Sequence, residues 1–99
     1  MNPNERHRVS IARKMVTCIY AVPRLNRRIN ETLRRPNITG AEKAEIDSIP
    51  GGIEVLIAAV RESFDADDGY IRLIMNMDRL CEQIAKADAT LDRLHRRTA

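Results

Sequence analysis

The stretch "YIRLIMNMDRLCEQIAKADATLDRL", Tyr70 to Leu94, decides how the chain reads. Tyr70, Leu73, Met77, Leu80, Ile84, Ala87, Leu91 and Leu94 recur at alternating steps of three and four, the repeat of one helical face. At about 1.5 Å per residue the stretch makes a rod of roughly 40 Å. With Tyr70 at heptad position a, the g positions are Gly69, Asn76, Gln83 and Thr90, and the e positions are Ile74, Cys81, Asp88 and His95. A two-stranded zipper places complementary charges at these positions, and here they are mostly uncharged. The wide apolar face of the N-terminal half suits a helix covered by several neighbours. The C-terminal half narrows to Ile84, Ala87, Leu91 and Leu94, which are expected to form the seam of a homodimer.

Upstream of this rod, Ile11, Met15, Cys18, Ile19, Val22, Ile29 and Leu33 give a second apolar face from a start near Pro3. Pro23 interrupts it, either as a kink in one helix over 3–35 or as the opening of a second helix. The face keeps its phase across Pro23, which favours the kink. "RRPNITG" ends this segment, and Thr39 to Glu42 fits a capping box opening a short helix over 40–47. "IPGG", Ile49 to Gly52, reads as a turn. Ile53, Leu56, Ile57, Val60 and Phe64 mark a third helix of about three turns. "DADDG", Asp65 to Gly69, ends it and offers an N-cap for the last helix. The expected fold class is all-α: a single domain over 1–99. It is an antiparallel helical bundle with two long helices, the first kinked at Pro23, and two short middle helices. A chain of 99 residues has a modest core and an incentive to pair, so a homodimer is expected.

Composition supports this reading. The aromatics are Tyr20, Phe64 and Tyr70 alone, so aliphatic side chains and methionine must do the packing, a palette that suits helices better than a sandwich. The longest apolar run is the six residues of "VLIAAV", far short of the ~20 that cross a bilayer. No secretory signal stands at the start, which makes a cytoplasmic setting and reduced thiols at Cys18 and Cys81 the expectation.

Charge is segregated along the chain. Residues 1–35 hold nine Arg or Lys against two acids, residues 36–70 two against eight, and residues 71–99 six against four. Arg6, Arg13, Arg24, Arg27, Arg28, Arg34 and Arg35 fall within one arc opposite the apolar face of the first helix. On the last helix Arg72, Arg79, Lys86 and Arg93 share heptad position c, with Arg96 and Arg97 beyond. Arginine forks suit carboxylates and phosphates. The expected function is therefore a non-enzymatic protein–protein interaction module, an adaptor or inhibitor whose basic face engages an acidic protein partner. Phage and plasmid accessory proteins that block a host machine offer an analogy. The alternative is a regulator that contacts nucleic-acid phosphates without reading sequence. The bland alternative is a solvated face partly neutralised by the acidic middle segment.

Other chemistries find little support. Residues 38–63 resemble a helix-turn-helix in outline, but "IEVLIAAVRES" is too apolar to read base edges. Stacking aromatics are nearly absent, and the basic first helix lacks the Trp and Phe of a membrane-surface helix. Counting an EF-hand loop from Asp65 puts Asn76 where the bidentate Glu belongs. Cys18, Cys81, His7 and His95 lack zinc-site spacing; the cysteines read as small core residues and His95 as a partner for terminal carbonyls. No nucleophile elbow, phosphate loop or metalloprotease motif is present, so no catalytic residue, metal or cofactor is assigned.

Overall fold

The computed structural model describes residues 3–65 and 71–99. The chain is all-helical there: α1 spans Pro3–Leu33, α2 Gly40–Asp47, α3 Ile49–Asp65 and α4 Ile71–Arg97. α1 runs as one helix through Pro23, which lacks the N–H that would bond the carbonyl four residues back. It stops ahead of Pro36, with the Arg35 amide donating to the Thr32 carbonyl at 3.1 Å. The capping box forms as Thr39 Oγ1 accepts from the Glu42 amide at 3.1 Å and Glu42 Oε1 accepts from the Thr39 amide at 3.0 Å.

"IPGG" is not a turn but the first turn of α3. Ser48 keeps helical dihedrals (φ −77°, ψ −20°) and its amide still reaches the Ala44 carbonyl at 3.2 Å. Pro50 is tolerated because first-turn amides need no helical partner. α2 and α3 therefore form one nearly continuous arm, broken only at Ser48. The turn and cap expected at Asp65–Gly69 lie, beyond Asp65, outside the described residues.

The arm and α1 flank α4. Lys14 pairs with Asp78, Arg24 with Asp88 and Arg28 with Asp92, each across 64 residues; Cys18 meets Cys81 and Thr32 meets His95 across 63. A constant offset means that α1 and α4 run in the same direction. Contacts of the arm with α4 run the other way: Ser63 with Asn76, Glu45 with Arg93, Glu42 with Arg97. The array measures 53 × 22 × 16 Å.

The α4 face expected to seat a second copy is spent inside the chain. Ile84, Ala87, Leu91 and Leu94 are 6%, 5%, 0% and 0% exposed, packed with Ala21, Leu25 and Ile29 of α1, Ile46 of α2 and Ile53 of α3. The narrow C-terminal stripe is covered by the α2–α3 arm on one flank and α1 on the other, so no dimer seam remains on it. Fully burying each leucine stabilises the fold by about 2 kcal/mol.

Candidate functional site

The basic residues singled out from sequence divide in two. Arg28 sits at the α1–α4 boundary, 24% exposed, with Nη1 donating to Asp88 at 2.7 Å and Nη2 to Asp92 at 2.5 Å. Burial pulls its pKa down, but hydrogen bonds and charge from Asp92 and Asp88 outweigh this and hold it above the ordinary arginine value. Arg24 adds a 3.0 Å pair to Asp88. Arg35 donates to Thr98 Oγ1 at 2.9 Å and to His95 Nδ1 at 3.0 Å. Because a guanidinium only donates, His95 Nδ1 must accept, which leaves Nε2–H to donate to Thr32 Oγ1 at 3.2 Å. The Thr32 hydroxyl in turn donates to the Arg28 carbonyl at 2.7 Å. His95 is thus a cross-link between α1 and α4 rather than a partner for terminal carbonyls. On α4, Arg93 pairs with Glu45 at 2.7 Å and Lys86 with Glu82 at 3.6 Å. Arg72 also engages a partner.

Arg97 holds α2 in place, donating to both Glu42 carboxylate oxygens and to the Asn37 carbonyl at 2.7 Å. Glu42 is held below the ordinary carboxylate value, first by the Thr39 amide and then by Arg97. The expected single basic arc on α1 is therefore corrected. Arg24 and Arg28 turn toward α4 because its acids lie on the flank beside α1, where salt-bridge geometry is available, and Arg35 turns there to bond Thr98 and His95.

Arg13, Arg27, Arg34 and Arg79 remain exposed, with no ion pair among the described residues. The first three share the outer face of α1 with Val9, Val16 and Tyr20. Positions 9, 13, 16, 20, 23, 27, 30 and 34 alternate steps of four and three, and all eight are exposed. Val16 and Tyr20 are 53% and 75% exposed, so the upper half of this stripe sets Val9, Val16 and Tyr20 around Arg13, and the lower half carries Arg27 and Arg34.

A second feature lies between α1 and α3. Met15, Cys18, Val22 and Pro23 form one wall, Ile57, Val60 and Arg61 the other, and Met77 and Leu80 of α4 the floor of an open apolar groove of about 460 Å³. Cys18 Sγ lies 3.9 Å from Cys81 Sγ at the α1–α4 junction. Burial, then the adjacent Cys81, pushes the Cys18 thiol up to about 11. Among the described residues no three His, Cys, Asp or Glu side chains gather around a metal position, and no helix is long and apolar enough to cross a membrane.

The acids of α4 were the functional partners that sequence reasoning missed. Lys14, Arg24 and Arg28 are spaced ten and then four residues apart; Asp78, Asp88 and Asp92 are spaced the same way. That match was the available signal for a parallel α1–α4 pair.

Comparison with known proteins adds no relative: no family model, no curated protein and no solved structure matches this chain.

Proposed function

We propose that the protein works by binding an acidic protein partner on the outer face of α1, without catalysing a reaction. The observation that carries this reading is the exposed stripe of Val9, Arg13, Val16, Tyr20, Arg27 and Arg34. Tyrosine and arginine dominate binding energy at protein interfaces, where a ring fills a hollow and a guanidinium pairs with a carboxylate at its edge. The complementary surface would offer an apolar hollow for Tyr20 and Val16, and carboxylates opposite Arg27 and Arg34. Nucleic acid suits the stripe less well. Its three arginines are spread over about 32 Å of helix and interleaved with apolar side chains that gain nothing from phosphate. Self-pairing of the stripe would bring arginines together when parallel, and set Arg27 and Arg34 against Val9, Val16 and Tyr20 when antiparallel.

The test is affinity capture from the native host, with and without nuclease, using the wild-type chain and the Arg13→Glu/Arg27→Glu/Arg34→Glu variant. The expected result is a stoichiometric protein that survives nuclease and is lost with the variant. Salt-sensitive binding to DNA or RNA, with no such protein, would establish the phosphate-contacting alternative instead. A homodimer is the second reading, favoured by the unfilled α1–α3 groove, whose apolar walls suit a helix of another copy. Sedimentation equilibrium tests it: a dimer dispersed by Val60→Glu supports the groove as its seat, and a monomer at all concentrations rejects it.

A further inference from the structure

We infer that Cys18 and Cys81 form a dithiol site that exchanges with small-molecule disulfides and closes into an intrachain bond between α1 and α4. The two sulfurs, 63 residues apart in sequence, already touch at 3.9 Å. The surrounding contacts hold them there. Lys14 binds Asp78 one turn above, Arg24 and Arg28 bind Asp88 below, and the parallel register leaves neither helix free to slide. A disulfide needs a sulfur separation of about 2.05 Å, so the two sulfurs must approach by about 2 Å to bond. Access is available because Cys18 lines the open groove and both cysteines are only partly buried.

The reaction balances with a disulfide as oxidant. Burial keeps Cys18 as its thiol, so the thiolate of Cys81 attacks a sulfur of glutathione disulfide, forming a protein–glutathione mixed disulfide and releasing one glutathione. The second cysteine attacks the protein sulfur of that mixed disulfide, the Cys18–Cys81 bond forms, and a second glutathione leaves. Two thiols lose two electrons, the oxidant gains them, and the two protons end on the two glutathione molecules. Contact between the thiols makes the second step intramolecular, so it outruns capture by another chain. The bond would pin α1 to α4 beside Pro23, fixing the wall of the groove.

The experiment treats the reduced, folded chain with glutathione disulfide and follows it by non-reducing peptide mass mapping and thermal melting. The expected product has lost two hydrogens, carries no glutathione, and yields one cross-linked peptide pair joining Cys18 to Cys81. Its Tm should rise on the order of 10 °C, because a long loop is closed in the unfolded chain, and dithiothreitol should reverse the rise. Cys18→Ser should retain glutathione on Cys81 with no such rise, and Cys81→Ala should take up glutathione on Cys18 more slowly. Three outcomes would overturn the inference: wild-type chains that keep stable glutathione adducts, disulfides joining two chains, or thiols that react only after unfolding in urea. The wild-type map decides the matter even if a variant does not fold.

Discussion

The two ends of the molecule use the same residue types for different ends. Around Arg24–Arg35, α2 and Ala87–Thr98, the arginines other than Arg27 and Arg34 are mostly cross-links. Arg28, Arg35, Arg93 and Arg97 join three helices through Asp88, Asp92, Thr98, Glu45 and Glu42, over a core in which Leu25, Ile46, Leu91 and Leu94 are fully buried. Around Val9–Pro23, Val55–Val60 and Ile71–Leu80 the core is smaller, built on Ile11, Leu73 and Met77. A groove opens, and Val16, Tyr20, Val55, Ile71 and Met75 stand in solvent. One end spends its charge on architecture; the other leaves apolar surface unspent. A basic stripe in sequence therefore does not locate a binding face until its acids have been placed.

Mutations should separate the ends by size of effect. Leu91→Ala removes a fully buried side chain and should cost about 3 kcal/mol in urea unfolding, against less than about 0.5 kcal/mol for Val16→Ala at the open end. Similar losses would erase the distinction. Thr39→Ala should cost about 1 kcal/mol by removing the cap of α2, seen as faster amide exchange in α2 than in α4. Acid should loosen the same end. Glu42 has a folded-state pKa below its ordinary 4.5. Its stabilising contribution is therefore full above pH 4.5 and lost as pH falls from there through the lower folded-state value. Glu42→Gln should flatten that part of a stability–pH profile. The smallest expected effect is a gain. Nothing lies within 4 Å of a methyl added at Gly52, so Gly52→Ala should stabilise the arm by about 0.5 kcal/mol. A loss there would mean that the α2–α3 junction needs the freedom of glycine.

The helices were legible in sequence because their signals are local. The repeat through Leu73–Leu94 and the Thr39–Glu42 box each depend on a few neighbouring positions, and both form as expected. "IPGG" misled because its glycines and proline punctuate a chain only when nothing continues the helix, and Ser48 does so here. The α4 stripe misled for a different reason. Leu91 and Leu94 look the same in sequence whether a second copy or the α2–α3 arm covers them. The basic arc failed likewise, because a helical wheel shows where Arg28 points but not that Asp88 and Asp92 stand 60 and 64 residues away to meet it. The matched ten-and-four spacing carried that information, and Cys18 with Cys81 follows from the same register.

The division of the arginines is tested most directly by a matched pair of charge reversals, Arg28→Glu and Arg27→Glu, adjacent in sequence and on different sides of α1. Their unfolding free energies in urea should differ. Arg28→Glu should lose roughly 2 kcal/mol by placing a third carboxylate against Asp88 and Asp92, while Arg27→Glu should stay within about 0.5 kcal/mol of wild type. Equal losses, or a larger loss at Arg27, would contradict the assignment of Arg28 to the scaffold and Arg27 to the exposed face.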